Sequence, residues 1–168
     1  MRVIGLMSGT SADGIDAALV RVGRRGVGLA VRLEAFRHVA YPPAVRRRLL
    51  AAADGAAIGA AELGRDVGER HAAAVIGLCR RSRTPLAAID LVSCHGHTLH
   101  HDPARGRVTM QIGDAALVAV RTGITTIADF RGANSSDPAA TGSVRPLVLG
   151  KIVPGENYER VILRARRR

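Results

Sequence analysis

The first forty residues alternate short apolar stretches with polar breaks, a pattern typical of β-strands and not of helices. The apolar stretches cover residues 3–6, 15–22 and 27–36. Between the second and third stretches, residues 23–26 (Gly-Arg-Arg-Gly) have the composition of a hairpin tip. The chain is therefore predicted to open with three consecutive strands.

The next forty residues change to the three-to-four-residue apolar spacing of amphipathic helices. After the break at Tyr41-Pro42-Pro43, a short helix is marked by Val45, Leu49 and Leu50. A longer helix is predicted over residues 56–81 and is expected to end before Pro85. Its apolar face carries Leu63, Val67, His71, Ala74 and Leu78. We interpret His71 as a packed core residue and not as a ligand.

Strands and helices alternate in the following segment, which predicts an α/β fold. Strands are expected over residues 89–93, 108–112 and 124–128. The first of them is predicted to run directly into a turn at residues 94–97 (Cys-His-Gly-His). A helix should begin at Asp114 and end at Gly123. Residues 132–142 have the composition of a loop.

The 168 residues suffice for one domain. Its core must be aliphatic, because Trp is absent and aromatic residues are few. No window reaches the length of a membrane span, and no signal peptide is recognisable at the N-terminus. Cys79 and Cys94 are too few for a disulfide framework and are expected to be small buried hydrophobes. These features predict a cytoplasmic protein that does not enter the membrane.

The formal net charge of +11 raises the question of nucleic-acid binding. The arginines are scattered along the chain, however, and a single lysine, Lys151, stands among the 25 basic residues. Aromatic side chains for base stacking are almost absent. We expect salt-sensitive adhesion to polyanions and no specific nucleic-acid partner. A non-catalytic, basic polyanion-binding module remains the alternative function.

The turn between the first two strands is the strongest candidate site. Gly9 and Gly14 are expected to allow positive φ and close approach of a ligand. Ser8, Thr10 and Ser11 supply hydroxyls, and successive N–H groups in such a turn form an anion-binding nest. Carboxylates at Asp13 and Asp16 would suit a metal-complexed phosphate. From the spacing alone, an ordinary hairpin with Asp-Gly at its tip is favoured over phosphate binding.

A second candidate is a histidine-rich tract, whose members are His95, His97, His100, His101 and Asp102. His95 and His97 would converge on one ligand if they alternated along an extended segment. The spacing matches no common zinc pattern. Metal ligands, polar substrate contacts and plain turn residues all remain open for this tract.

Four tracts carry a resemblance to a known family. Residues 7–16, M-S-G-T-S-x-D-G-x-D, resemble the first phosphate loop of anhydro-N-acetylmuramic acid kinases, in the sugar kinase/Hsp70/actin group of ATPases. Three more tracts follow in family order: residues 93–98 with His100 and Pro103, residues 111–114, and residues 121–124 with 128–131. The resemblance covers residues 1–131. It implies an RNase H-like (actin/sugar kinase-type) mixed sheet with flanking helices, present as an incomplete first lobe.

The resemblance also implies the chemistry. The family uses ATP and Mg²⁺ to phosphorylate 1,6-anhydro-N-acetylmuramic acid, while water opens the anhydro ring to give N-acetylmuramic acid 6-phosphate for cell-wall sugar recycling. It implies a homodimer for the whole protein and leaves the state of this chain unknown. The implied ATP phosphate-binding residues are Gly9, Thr10, Ser11, Ala12, Asp13, Gly14, Ile15 and Asp16. The implied sugar-binding residues are His95, His97, Thr98, Asp129 and Arg131, with His97 in place of the family's glutamine.

Beyond residue 131 the resemblance decays, so we divide the chain into residues 1–131 and a degenerate continuation, 132–168. Thr141-Gly142 replaces a family glycine pair. Residues 159–163 resemble the strand before a second phosphate loop, but arginines follow in place of Asn-Ile-Gly-Gly. The family's catalytic aspartate has no counterpart. We expect a reading frame disrupted near the Leu163 codon, or a gene that ends prematurely there, and a chain that is inactive alone.

Overall fold

The computed structural model describes residues 1–25, 28–55, 59–102, 108–129 and 147–149. Its strands are β1 (Arg2–Ser8), β2 (Gly14–Arg25), β3 (Gly28–Ala40), β4 (Leu91–Asp102), β5 (Val108–Ile112), β6 (Thr126–Ala128) and β7 (Leu147–Leu149). Its helices are α1 (Pro43–Ala53), α2 (Ala60–Arg81) and α3 (Ala115–Thr122), with one turn of 3₁₀-helix at Leu86–Ala88. The alternation predicted from the sequence is confirmed.

The strands form one mixed sheet in the order β3-β2-β1-β4-β6-β7, and β5 pairs with the distal half of β4. The β1–β2, β2–β3 and β6–β7 pairs are antiparallel. The β1–β4 and β4–β6 pairs are parallel. The predicted α/β fold, with a mixed sheet and flanking helices, is therefore confirmed.

The core lies between one face of this sheet and the helices. Alternate residues of β1 and β2 point into it, among them Ile4, Ile15 and Leu19. They pack in one buried cluster with Val67 and Leu78 of α2. The cluster is aliphatic, as the composition predicts.

Several predicted boundaries move. The tip expected at 23–26 is wrong, because β2 continues to Arg25 and Gly23 pairs with Ala30 of β3. β3 runs four residues past the predicted end, to Ala40. α2 stops at Arg81, before Pro85, and its predicted first residues 56–58 lie outside the described residues.

The predicted turn at residues 94–97 is also wrong, since β4 continues through it to Asp102. The register between β1 and β4 shifts here: Leu6 pairs with Cys94, but Ser8 pairs with His97. One extra residue in β4 therefore forms a bulge, and Gly96 takes its positive φ of 79° there. A glycine that suggests a turn serves as a bulge within a strand.

The start and end of α3 are confirmed. The Asp114 carboxylate accepts a hydrogen bond from Leu117 N–H at 2.9 Å, and Gly123 ends the helix with φ of 70°.

No helix in the described ranges is long and apolar enough to cross a membrane. Arg131, the 132–142 loop and the proposed 132–168 segment lie outside the described residues, except for β7.

Candidate functional site

The turn between β1 and β2 differs in detail from the expectation. Positive φ falls on Ala12, at 49°, and neither Gly9 nor Gly14 has it. The Ala12 N–H donates to Gly9 O at 3.0 Å and closes the turn. A Cβ built on Gly9 would meet nothing within 4 Å, so space for a ligand exists beside it. Gly14 instead serves packing, because a Cβ there would lie 2.5 Å from Val39 O of β3.

The polar side chains of this turn are exposed. Ser11 Oγ donates to Asp13 at 2.8 Å, and this hydrogen bond lowers the pKa of the Asp13 carboxyl. Asp16, at the start of β2, instead bonds His38 Nδ1 at 2.8 Å. Thr10 is exposed as well. The turn therefore presents hydroxyls and an ionised carboxylate to solvent.

Two of the eight predicted phosphate residues, Ala12 and Ile15, have side chains buried in the core. Only their backbone is positioned to meet a ligand. This is compatible with a nest, which binds anions through main-chain N–H groups.

Ser8, which was expected to offer its hydroxyl to a ligand in the turn, is instead buried at the centre of a hydrogen-bond network. Its Oγ accepts from Tyr41 Oη at 3.0 Å and donates to Gly14 O at 2.9 Å. It also lies 2.8 Å from His97 Nδ1. The signal was available, because Ser8 follows Ile4 and Leu6 at the two-residue spacing that points into the core.

The proton count of this network sets the tautomer of His97. The single hydroxyl proton of Ser8 goes to Gly14 O, so His97 Nδ1 must carry a proton and donate to Ser8 Oγ. Burial, assisted by His95, lowers the pKa of His97 to about 4. His97 is therefore neutral at pH 7 with Nε2 as its acceptor. The Tyr41 ring packs edge-on against it at 5.9 Å between centroids.

The bulge at Gly96 also decides where the two histidines go. It turns His97 to the core face beside Ser8, whereas His95 remains half-buried on a surface cleft. The simple alternation on which the expected convergence of His95 and His97 depended is therefore absent here. His95 Nδ1 lies 3.3 Å from Gly96 O, its own neighbour in the chain.

The cleft lies level with the carboxyl end of β6, where α/β sheets commonly place ligand contacts. Its volume is about 270 Å³. His95 and Asp129 line it together with Gln111 and Asp114. Asp129 is exposed and has a left-handed φ of 57°, uncommon for a residue other than glycine.

The other predicted sugar contacts lie elsewhere. His97 and Thr98 are buried and do not line this cleft. Thr98 Oγ1 has no hydrogen-bond partner among the described residues. Arg131 lies outside the described residues. The structure thus brings His95 and Asp129 together, and the roles of all five residues stay predictions.

Beside the cleft, two glycines allow neighbouring backbone segments to approach each other closely. A Cβ on Gly96 would lie 2.8 Å from Ile112 O. A Cβ on Gly68 of α2 would lie 2.8 Å from Asp114 O. The Asp114 N–H also donates to Gly64 O at 3.1 Å. The start of α3 is therefore held directly against α2.

Two buried titratable groups at or beside the cleft are in their neutral forms at pH 7. His71 is fully buried, as predicted, and burial lowers its pKa to about 4, with His97 and His95 contributing. Burial raises the pKa of the Cys94 thiol to about 11. Cys79 is buried as well, as predicted for both cysteines. Within the part of the chain that the structure describes, no group of three or more His, Cys, Asp or Glu could hold a metal ion.

The family model and the curated relatives that match this chain all carry the same description. Residues 1–156 match the sequence model of anhydro-N-acetylmuramic acid kinase. The chain is 40% identical over 156 residues to an anhydro-N-acetylmuramic acid kinase of Caldanaerobacter subterraneus, covering 87% of this chain and 39% of that relative. For the kinases of Vibrio cholerae and Xanthomonas oryzae the identities are 42% over 151 residues and 45% over 150. Those alignments cover 86% of this chain in both cases, and 38% and 39% of the two relatives. The chain thus spans about two fifths of the length of the curated relatives it matches.

Proposed function

The chain belongs to the anhydro-N-acetylmuramic acid kinase family, and on that basis we propose that it supplies the first phosphate turn and part of the sugar cleft of such a kinase. In the proposed reaction ATP, 1,6-anhydro-N-acetylmuramic acid and water give ADP and N-acetylmuramic acid 6-phosphate. The γ-phosphoryl group passes to the sugar O6, and water adds at the anomeric carbon as the anhydro bond breaks. The role would be recycling of cell-wall sugars in the cytoplasm.

One observation supports this assignment most directly. The turn at the end of β1 and the cleft beside β4 and β6 occupy the same edge of the sheet. Ser8 joins the turn to β4, the strand whose His95 lines the cleft, because it bonds both Gly14 O at the end of the turn and His97 in β4. A kinase requires its phosphate donor and acceptor sites to be held in a fixed relation, since phosphoryl transfer depends chiefly on positioning and charge stabilisation.

The residues of the turn fit a magnesium-complexed phosphate chemically. The hydroxyls of Thr10 and Ser11 and the carboxylate of Asp13 are hard oxygen groups, and hard oxygen donors suit Mg²⁺. The open space beside Gly9 lets a phosphate approach the backbone. In this proposal residues 9–16 hold the ATP phosphates, and bound Mg²⁺ neutralises part of their charge.

The cleft residues would hold the sugar. Asp129 can accept hydrogen bonds from sugar hydroxyls, and His95 can donate or accept. Arg131, two positions after Asp129, would pair with the carboxylate of the lactyl ether. His97 and Thr98 would act from beneath the cleft, and a homodimer of the whole protein is part of the same proposal.

The activity test joins residues 1–156 of this chain to the part of the Caldanaerobacter relative that follows the matched region. The chimera is incubated with Mg-ATP and the anhydro sugar in ¹⁸O-labelled water. Mass spectrometry should find a 6-phosphate carrying one ¹⁸O. We expect Asp129→Asn to lower the rate at least tenfold, and Asp54→Asn, an exposed residue at the end of α1, to leave it unchanged. A soluble, folded chimera with no sugar-dependent ADP release would refute the proposal.

The 168-residue chain alone should bind ATP weakly. One phosphate turn without its partner loop or an adenine pocket should give a Kd no tighter than about 1 mM, which corresponds to about 4 kcal/mol. Isothermal calorimetry with Mg-ATP measures this directly. Micromolar, magnesium-dependent binding would contradict the idea that residues 1–156 hold only part of the nucleotide site.

A further inference from the structure

Arg46 of α1 lies against the turn between β1 and β2, although it is outside the eight residues that the resemblance assigns to phosphate. Its Nη2 donates to Ser11 O at 3.4 Å. The start of α1 is fixed next to the turn by Tyr41, whose N–H donates to Asp13 O at 3.1 Å. Tyr41 also bonds Ser8 through its hydroxyl. The fold therefore holds the Arg46 side chain beside the turn.

The Arg46 guanidinium has more hydrogen-bonding capacity than the turn uses. A guanidinium carries five N–H donors. Among the described residues Arg46 makes one hydrogen bond, to Ser11 O, and no ion pair. Since 3.4 Å is long for such a bond, the guanidinium is only weakly held. Arg48 of the same helix is by contrast engaged by Asp66 at 2.6 Å. Arg46 is exposed, so its remaining donors are available to a ligand.

The turn itself supplies no cation for a phosphate. Residues 9–16 contain Asp13 and Asp16 but no lysine, arginine or histidine. The Asp16 carboxylate bonds His38, whereas Asp13 is exposed and the hydrogen bond from Ser11 lowers the pKa of its carboxyl. An ionised carboxylate repels a phosphate that approaches the same turn. A guanidinium beside Ser11 offsets this repulsion and can give two parallel N–H···O bonds to one phosphate group.

We propose that Arg46 is a further phosphate-binding residue of this chain, which extends from α1 to the turn and contacts one phosphate group of a polyphosphate ligand. A chain of phosphates can meet the open backbone beside Gly9 and the guanidinium at the same time, which a single small anion cannot do. The ligand class is therefore a nucleoside triphosphate or an inorganic polyphosphate. The inference rests on the proposed phosphate role of residues 9–16, and not on the sugar or the reaction.

Phosphate titrations of the 168-residue chain test the proposal, and α1 supplies a matched control. Arg47 is the next residue of the helix, carries the same charge and is also exposed. No hydrogen bond joins it to the turn in the part of the chain that the structure describes. Backbone amide and arginine Nε–H signals are followed by NMR as Mg-tripolyphosphate or Mg-ATP is added to well above the expected millimolar Kd. Ionic strength is held constant so that charge screening is the same in every titration.

We expect the Gly9 amide and the Arg46 Nε–H to shift on titration of the parent chain. Arg46→Ala should weaken the binding of both ligands at least about fivefold, whereas Arg47→Ala should weaken it less than about twofold. Arg46→Lys keeps the charge but loses the paired donors, so its loss should be intermediate. Equal losses for Arg46→Ala and Arg47→Ala would overturn the proposal, because net charge alone would then explain the effect. A loss for Mg-ATP without one for Mg-tripolyphosphate would also overturn it.

Hydrogen exchange separates contact with the ligand from support of the turn. The Ala12 amide closes the turn through its bond to Gly9 O, so its exchange rate in the ligand-free chain shows whether the turn is intact. We expect this rate in Arg46→Ala to stay within about twofold of the parent, because the bond that is lost is long and exposed. Faster exchange in Arg46→Ala, with exchange and affinity both fully restored in Arg46→Lys, would overturn the proposal and leave Arg46 as a support of the turn.

The same titrations keep this inference distinct from the proposed function. A parent chain without saturable binding of either ligand would overturn both the role of Arg46 and the phosphate role of residues 9–16. Selective loss of binding in the Arg46 variants, together with a folded chimera that lacks kinase activity, would support the inference and refute the proposed reaction alone.

Discussion

Replacing Ser8 with alanine tests whether the buried network around it is correctly understood. The substitution removes one hydroxyl but leaves three groups without their partner: Tyr41 Oη–H, His97 Nδ1–H and Gly14 O. Each buried polar group left unsatisfied costs about 1–3 kcal/mol. His97 can relieve part of this cost by moving its proton to Nε2. We therefore expect Ser8→Ala to lower the free energy of unfolding by about 2–4 kcal/mol, a large share of the total for a small domain.

Two companion variants make the prediction specific. Tyr41→Phe removes one donor but leaves Ser8 bonded to both Gly14 O and His97, so its cost should be only about 0.5–1.5 kcal/mol. Ser11→Ala removes an exposed hydroxyl that donates to Asp13, and its effect should stay within about 0.5 kcal/mol. The loss of unfolding free energy should be largest for Ser8→Ala, smaller for Tyr41→Phe and smallest for Ser11→Ala, and this order tests the network as much as any single value.

The assay is guanidinium chloride unfolding monitored by far-UV circular dichroism. The dependence of the unfolding free energy on denaturant concentration should be the same in all variants, which shows that they expose the same surface on unfolding. Nitrogen chemical shifts of the His97 ring provide a second measurement. They should show a protonated Nδ1 in the parent and a shift toward protonated Nε2 in Ser8→Ala. An unfolding free energy of Ser8→Ala within about 0.5 kcal/mol of the parent would contradict the hydrogen-bond network described here, as would a Tyr41→Phe variant that costs as much as Ser8→Ala.

Three further predictions concern pH, the bulge and charge. The pKa values of His71 and His97 are about 4 in the folded chain, against an ordinary value of 6.5, so the unfolded state binds more protons between these pH values. The free energy of unfolding should therefore fall as pH drops from about 6.5 to about 4; denaturation midpoints across this range measure it, and NMR titration of either ring near pH 6.5 would contradict it. Gly123→Ala, at a φ of 70° in open space, should cost about 1 kcal/mol. Gly96→Ala, at a φ of 79° with its Cβ against Ile112 O, should cost about 1–3 kcal/mol more because of the added clash, and equal unfolding free energies for the two variants would count against the bulge geometry. Binding to DNA should be independent of sequence and fall steeply with salt; fluorescence anisotropy that finds tight, selective binding at physiological salt would favour the polyanion-binding alternative.

Much of the fold could be read from local patterns. The two-residue spacing of Ile15, Ala17 and Leu19 predicts a half-buried strand, and the helical spacing of Leu63, Val67 and Leu78 predicts the long helix. Asp114 and Gly123 bound α3 because capping depends only on neighbouring backbone groups. These features are local, so one sequence suffices to predict them.

Local patterns predict less of the candidate site. The resemblance pointed to residues 9–16 and to the histidine tract, but it could not say which side chains face the cleft. The bulge at Gly96 sends His97 toward Ser8 and leaves His95 on the cleft. Such a bulge depends on pairing with β1, which lies about ninety residues earlier in the chain. A register shift between distant strands leaves no periodic signal in either strand alone.

The sequence by itself determined the alternation of strands and helices, the aliphatic core, the caps of α3 and the family. All of these depend on residue type and short-range spacing. Only the tertiary structure decided that Ser8, Tyr41 and His97 share one buried network, and that Arg46 of α1 lies beside the turn. Both follow from which elements lie side by side, because packing in the fold brings together residues whose positions in the chain are unrelated.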